Sequence, residues 1–174
     1  MVLGCGGLGQ WALRLLRMVY DKVEIIAVDI DDAKLEMAKK YGADEFILWK
    51  TTNSKEENAS LVTKNGLINC VLEFSGSNEG IKTAILTLEK NSLLAVISVT
   101  HSEIPIDFLD LLLRSITITG VLNYTDQDMS DLIDLIVKHN LKPDNLEFYS
   151  LDEINEVLDK FKKGEIKGRA MIKF

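Results

Sequence analysis

The chain opens with a run of closely spaced glycines between an apolar strand end and an amphipathic helix. The run reads Met1-Val2-Leu3-Gly4-Cys5-Gly6-Gly7-Leu8-Gly9 and contains the spacing G-x-G-x-x-G. In this pattern the first glycine permits a tight turn, the second lets the backbone approach a diphosphate, and the third lets helix and strand pack closely. Amides at the start of the helix face the diphosphate, where the helix dipole favours negative charge. The opening therefore predicts a dinucleotide-binding turn within a βαβ unit.

The residues after the glycines support this interpretation. Apolar residues recur along one face of the predicted helix, at Leu8, Ala12, Leu15, Leu16 and Val19. Asp29 follows Gly9 by 20 residues and ends the apolar run at residues 23–28, a position from which a carboxylate can accept hydrogen bonds from an adenosine ribose. Asp29 could instead cap the next helix, but Asp31 and Asp32 already serve there. We therefore favour ribose binding by Asp29.

Composition and charge favour one folded α/β unit and argue against several function classes. A chain of 174 residues with 47% hydrophobic content can bury a proper core. The net charge is −7 and the lysines are scattered, so a nucleic acid backbone would find no basic stripe. The longest apolar runs, such as residues 93–99, are too short to span a bilayer. Two cysteines form no disulfide framework, and we expect a cytoplasmic protein that binds neither nucleic acid nor membrane.

Predicted helices and strands alternate through the first two thirds of the chain. After the first strand, strands are predicted at residues 23–28, 45–48, 69–74, 92–99 and 115–122. Helices are predicted between them, with Ser77 capping the fourth and Gly42 following the second. This alternation predicts an α/β fold, a doubly wound (Rossmann) parallel sheet with strand order 3-2-1-4-5-6.

The last quarter of the chain follows a different pattern. A helix is predicted at Asp126–His139, and Pro143 ends it. A strand at residues 146–149, a helix at 152–162 and a strand at 170–174 come next. These elements exceed what the nucleotide fold needs, and apolar strands require partners for their backbone groups. We expect this tail to dock on something else, and to fray or self-associate when it has no partner.

Five segments of the chain form a set of motifs that occur together in one family. They are Gly4-Cys5-Gly6-Gly7-Leu8-Gly9, Ala27-Val28-Asp29, Tyr41-Gly42-Ala43-Asp44, Glu73-Phe74-Ser75-Gly76 and Gly164-Glu165-Ile166-Lys167-Gly168-Arg169-Ala170. The chain resembles, over nearly its whole length, the cofactor-binding half of the zinc-dependent medium-chain alcohol dehydrogenases. The resemblance implies an NAD-binding Rossmann domain at residues 1–145 and, at 146–174, a β-α-β tail that normally packs on a catalytic domain.

The resemblance also implies what the chain does. It would present nicotinamide for hydride transfer to or from a zinc-bound alcohol or carbonyl substrate, as part of an alcohol or polyol dehydrogenase. The family's other half carries the zinc ligands and most of the substrate pocket, so we expect no catalytic residue in this chain and no activity from it alone. A homodimer could form through the sheet edge near residues 102–108, where Pro105 suits an edge strand.

Cofactor contacts are implied residue by residue. The pyrophosphate turn corresponds to Gly4, Gly6, Gly7, Leu8 and Gly9. The adenosine side corresponds to Asp29, Lys34, Phe74 and Ser75. The nicotinamide side corresponds to Val99, Val121 and Asn123, and Arg169 would reach back to the pyrophosphate. Cys5 is interpreted as a small spacer within the turn.

The sequence favours NAD and shows no metal site. Asp29 would repel a 2′-phosphate, and the neighbouring Ile30 offers no cation to offset it. His101 and His139, taken with the two cysteines, form no metal-ligand spacing, so zinc is expected only in the other half of the enzyme. Two alternatives remain open: a standalone, non-catalytic NADH-binding module, and an S-adenosylmethionine methyltransferase, which also joins a glycine-rich turn to an acidic second-strand end.

Overall fold

A computed structural model of the chain describes residues 1–98, 103–143, 146–166 and 168–174. The chain divides into two units, Met1–Val121 and Leu122–Phe174. The predicted boundary at residue 145, between the cofactor-binding domain and the tail, stays a prediction. None of the helices in the described ranges combines the length and the apolar character that a membrane span needs.

The first unit is built on a six-stranded parallel sheet. Its strands are β1 (Val2–Leu3), β2 (Ile26–Asp29), β3 (Glu45–Leu48), β4 (Ile68–Glu73), β5 (Leu88–Val96) and β6 (Thr117–Gly120). Their spatial order is β3-β2-β1-β4-β5-β6, which confirms the predicted doubly wound topology. The order reverses between β1 and β4, and ligands of such sheets bind at the carboxyl ends of the strands beside that reversal.

Five helices connect these strands. They are α1 (Gly7–Val19), α2 (Asp32–Lys40), α3 (Lys55–Thr63), α4 (Asn78–Thr87) and α5 (Phe108–Arg114). Local side chains explain where they begin: the carboxylate of Asp31 accepts from the Ala33 amide at 2.8 Å, and the Ser77 hydroxyl accepts from the Gly80 amide at 3.2 Å. Gly42, just after α2, has φ +87°, as predicted for a helix C-terminus.

Alternate residues of the central strands supply two cores, one on each face of the sheet. Val2 and Ala27 belong to one cluster, and their neighbours Leu3 and Val28 belong to the other. Helices complete each cluster: Leu13, Leu35 and Ala38 on the first face, and Val62, Ile81, Ala84 and Ile85 on the second. The buried face of α1 differs from the predicted stripe: Gly9, Gln10 and Leu13 are buried. Of the predicted residues, Leu16 packs partly buried against this core, whereas Leu8 and Val19 are half exposed.

Several strand limits differ from the sequence prediction. β2 begins at Ile26 rather than at residue 23. Arg17 Nη1 donates a hydrogen bond to the Val23 carbonyl, and the Ile25 amide donates to the Asp44 carboxylate, so these backbone groups are bonded to side chains rather than to a neighbouring strand. β5 begins at Leu88, where it pairs with Ile68 across an irregular register, and it ends at Val96. β6 begins at Thr117 rather than at residue 115 because Ser115, at φ 52°, caps α5 in the left-handed region, and it ends at Gly120.

The second unit holds α6 (Asp126–His139), β7 (Leu146–Ser150), α7 (Ile154–Lys162) and β8 (Arg169–Lys173). The helix predicted at residues 152–162 instead begins as a short 3-10 turn at Leu151–Glu153. β7 and β8 pair in parallel, from Leu146↔Arg169 to Ser150↔Lys173. The tail strands are expected to need a partner outside this chain. That expectation is wrong for the edges at which β7 and β8 pair with each other. The described residues add no third strand to this sheet.

Candidate functional site

The glycine turn leads directly from β1 into α1. Gly6 precedes the helix in an extended conformation, and no side chain caps the helix start within the fully described range 1–98. The first turn of α1 also carries no acidic residue. The first amides of a helix have no partner inside the helix, and together with the dipole they favour an anion. The start of α1 therefore has the electrostatic character of a phosphate site.

The three fingerprint glycines are required for different reasons. Gly4 has φ +91°, and a Cβ there would lie 2.6 Å from the Ser75 nitrogen. A Cβ on Gly9 would lie 1.9 Å from the Gly4 carbonyl oxygen. At Gly6, in contrast, φ is −73° and a Cβ would meet no atom within 4 Å. The protein's own packing thus demands glycine at two positions and leaves open space at the third.

Asp29 joins the turn after β2 to the glycine turn. Its side chain is buried, and its Oδ2 accepts from the Cys5 amide at 2.7 Å. Its Oδ1 accepts from the amides of Ile30 at 2.7 Å and Asp31 at 3.0 Å. A carboxylate can accept about four hydrogen bonds, so Oδ2 keeps capacity for one further donor. Asp31, and not Asp29, caps α2, which agrees with the sequence interpretation.

A cleft lies at the carboxyl ends of β1 to β4 and brings three of the predicted cofactor residues together. Gly4, Asp29 and Ser75 all line it. Its other lining residues come from the ends of β1, β2 and β3 and from α3 and α4: Leu3, Ile30, Trp49, Lys50, Thr51, Asn58, Ser77, Glu79, Gly80 and Thr83. The wall mixes apolar surface with a few polar groups, which is typical of pockets for planar organic ligands.

Sequence reasoning assigned no role to the side chains that hold the walls of this cleft. Asn58, on α3, accepts from the Lys50 amide at 3.2 Å and donates to the Lys50 carbonyl at 3.0 Å, and so clamps the segment after β3. Gln10 donates to the Cys5 carbonyl at 3.1 Å. Glu73, at the end of β4, is fully buried. A polar residue on an otherwise apolar helix face, or at the end of an apolar strand, is the signal that could have identified them.

The remaining predicted contacts are spread over the chain. Lys34 lies in α2. Phe74 packs against the core that contains Val2 and Leu13. The amide of Val121 donates to the Val96 carbonyl at 2.9 Å, just beyond β6. Val99 lies outside the described residues, and Asn123 and Arg169 belong to the second unit. For these residues cofactor contact stays a prediction.

No metal site is visible in the part of the chain that the structure describes. Within these residues, no group of three or more His, Cys, Asp or Glu side chains is placed to hold an ion. The expectation that zinc binds elsewhere in the enzyme stays a prediction.

The Cys5 thiol is expected to be chemically inert in the folded protein. It is fully buried, and burial together with the nearby Asp29 charge raises its pKa to about 12. Because the thiolate is the reactive form, alkylation of Cys5 at pH 8 should be slower by roughly three orders of magnitude than for an ordinary thiol. Iodoacetamide labelling of a Cys70→Ser variant, followed by mass spectrometry, measures Cys5 alone. Equal labelling rates in buffer and in denaturant would contradict the expectation.

Comparison with known proteins places this geometry in a family. The family model described as zinc-binding dehydrogenase matches residues 7–138. An alcohol dehydrogenase of Geobacillus stearothermophilus is 28% identical over 173 residues, covering 99% of this chain and 49% of the relative. The chain thus spans about half the length of the curated relatives it matches.

Solved structures agree with this assignment. Benzyl alcohol dehydrogenase from Acinetobacter calcoaceticus is 31% identical with a TM-score of 0.80, over 99% of this chain and 49% of that one. Acetophenone reductase from Geotrichum candidum, solved in complex with NAD, is 26% identical with a TM-score of 0.80, over 98% of this chain and 47% of that one. With its Rossmann sheet, its glycine turn and the family match across most of its length, this chain belongs to the zinc-binding dehydrogenase family.

Proposed function

We propose that this chain is the NAD(H)-binding domain of an alcohol or polyol dehydrogenase. The observation that carries the proposal is the contrast among the fingerprint glycines. Gly4 and Gly9 are explained by the fold, but Gly6 has an ordinary φ and open space where its Cβ would be. That space lies at the start of α1, where a diphosphate would be stabilised. Family membership decides against the methyltransferase alternative.

The described residues fit the adenosine half of the dinucleotide. Oδ2 of Asp29 has acceptor capacity for a ribose hydroxyl, and Asp29 and Ile30 line the cleft together with Trp49. The aromatic and aliphatic walls suit a purine base. The acetophenone reductase relative is solved with NAD, which supports the same cofactor here. When bound, NAD supplies a hydride acceptor, and NADH a donor, at the nicotinamide ring.

The site favours a free ribose over a phosphorylated one. Asp29 is buried and already accepts three amides, so it cannot turn away from an incoming 2′-phosphate without leaving buried donors unsatisfied. Ile30, which follows it at the cleft, brings no positive charge. The carboxylate would therefore repel the phosphate.

Calorimetric titration of the chain with NADH and NADPH tests this proposal. NADH is expected to bind tighter by about tenfold or more, a difference of about 1.4 kcal/mol. Equal affinities for NADH and NADPH, or a higher affinity for NADPH, would contradict the proposed binding of the ribose by Asp29. If neither dinucleotide binds, the proposed function itself is wrong.

Catalysis is proposed to need the other half of the enzyme. In this proposal the catalytic domain holds zinc and the alcohol or carbonyl substrate, while this chain binds and orients the cofactor and is inactive alone. We propose a cytoplasmic location. A standalone NADH-binding module would share the binding behaviour without the catalytic half, and this alternative stays a prediction.

A homodimer is proposed through the sheet edge near residues 102–108. The predicted edge strand around Pro105 is wrong for residues 103–107, which form no strand, and among the described residues the edge strand on this side is β6. The nearby helix α5 exposes four large apolar side chains, at Phe108, Leu109, Leu112 and Leu113. Exposed apolar surface of this kind is typical of association sites.

A further inference from the structure

Glu73 is a buried carboxylate at the carboxyl end of β4, one strand from the glycine turn. Its side chain is fully buried. Oε1 accepts from the Ser75 amide at 2.7 Å, from the Ser75 hydroxyl and from the Gly76 amide at 3.1 Å, and Oε2 also accepts from the Gly76 amide, at 3.2 Å. Burial raises the pKa of this carboxyl, against the effect of these hydrogen bonds. Burying a carboxylate is costly unless donors of this kind compensate it.

These hydrogen bonds determine the shape of the turn between β4 and α4. The amides of Ser75 and Gly76 both point back at Glu73, and Gly76 itself adopts the left-handed region at φ +68°. The Ser75 hydroxyl donates to Glu73 and accepts from the Ser77 amide at 3.2 Å. Ser77 in turn caps α4 through the Gly80 amide. A continuous chain of hydrogen bonds thus runs from Glu73 to the start of α4.

The turn of Ser75 and Gly76, which Glu73 holds, forms one wall of the cleft and contacts the glycine turn. Ser75 and Ser77 line the cleft, whereas Glu73 itself is not among the lining residues. A Cβ on Gly4 would lie 2.6 Å from the Ser75 nitrogen and 2.9 Å from the Ser75 Cα, so the two turns are in close backbone contact. A displacement of Ser75 would therefore alter both the cleft wall and the turn that faces the diphosphate.

We propose that Glu73 is a positioning residue for dinucleotide binding, acting through the turn of Ser75 and Gly76. This inference rests on the proposed function. Glu73 performs at β4 the same kind of bracing that Asp29 performs at β2, by collecting backbone amides of the following turn. It differs in that Asp29 also faces the cleft, while Glu73 acts only through its neighbours.

The experiment compares affinities in variants that remain folded. Glu73→Gln keeps the size of the side chain but replaces one acceptor oxygen with a donor group, so it cannot hold all the donors of the turn. We expect NADH and AMP each to bind about tenfold more weakly, because the adenosine side is the part affected. Urea unfolding of each variant establishes that it is fully folded at the titration temperature. If Glu73 only stabilised the fold, a fully folded variant would bind NADH and AMP as the wild type does.

Two further variants sharpen the comparison. Ser75→Ala removes only the hydroxyl link and leaves Glu73 its amide donors from Ser75 and Gly76, so a roughly threefold weakening is expected even if Glu73→Gln proves unstable. Glu57→Gln is the matched control, since Glu57 braces the start of α3 from an exposed position and does not line the cleft. It should bind NADH as the wild type does.

The outcomes separate the inference from the function on which it rests. Wild-type affinity in both folded Glu73→Gln and Ser75→Ala, while the wild type binds NADH, would overturn the positioning role and leave the cofactor assignment intact. A wild-type chain that binds neither NADH nor AMP would overturn both. Weakening in Glu73→Gln and Ser75→Ala but not in Glu57→Gln supports the inference.

Discussion

A Gly9→Ala variant should unfold at a much lower urea concentration than the wild type, with a loss of about 3 kcal/mol in the free energy of unfolding. The added methyl group would lie 1.9 Å from the Gly4 carbonyl oxygen and 2.9 Å from the Gly4 carbonyl carbon. Both are backbone atoms of the turn, so α1 or β1 must move to relieve the overlap. Wild-type stability in Gly9→Ala would mean that helix and strand are not packed as closely as described.

Gly6→Ala is the matched substitution with the opposite expected result. Its methyl group meets no protein atom within 4 Å, and its φ of −73° suits alanine. Stability should therefore stay within about 0.5 kcal/mol of the wild type, or rise slightly, because alanine restricts the unfolded chain. NADH affinity should nevertheless fall by about tenfold or more, because the methyl group occupies the space proposed for the diphosphate.

Together the two variants separate the roles of the glycines. Denaturant unfolding and NADH titration of each provide four measurements with one expected pattern: Gly9→Ala loses stability, and Gly6→Ala loses binding. If Gly6→Ala binds NADH as the wild type does, the open space beside α1 is not where the diphosphate lies, and the observation that carries the proposed function fails.

The fold could be predicted from the sequence because its signals are periodic and local. Strand order follows from the alternation of strands and helices, and helix starts follow from caps such as Asp31 and Ser77. Strand limits were predicted less well because individual long-range hydrogen bonds decide them. The Arg17 guanidinium binds the Val23 carbonyl, and no periodic pattern reveals that β2 must therefore begin later.

The candidate site shows the same division. The spacing of the glycines predicted a tight turn and a close helix approach, and both occur at Gly4 and Gly9. The bracing by Glu73 and Asn58 was not predicted, because it depends on which amides the turns present to a buried side chain. The parallel pairing of β7 with β8 was also missed, since their strand patterns do not say which strand is the neighbour.

Asp29→Ala is expected to reduce both stability and cofactor affinity. It removes the acceptor for the amides of Cys5, Ile30 and Asp31, and we expect a loss of about 2 to 4 kcal/mol in the free energy of unfolding because buried donors lose their partner. It should also lose about 1.5 to 3 kcal/mol of NADH affinity, as expected for charge-assisted hydrogen bonds to the ribose. Urea unfolding and calorimetric titration measure the two losses separately.

Two comparisons distinguish ribose binding by Asp29 from its bracing of the two turns. One is the preference for NADH over NADPH, and the other is a control substitution at a neighbouring aspartate. In Asp29→Asn the negative charge is gone and one acceptor oxygen remains, so a smaller stability loss, of about 1 to 2 kcal/mol, should accompany nearly equal binding of NADH and NADPH. Asp31→Asn is the matched control, because asparagine caps a helix as well as aspartate does and Asp31 is the cap of α2. It should keep both stability and NADH preference. If Asp29→Asn loses stability but still prefers NADH as strongly as the wild type, Asp29 braces the two turns and another group selects the cofactor.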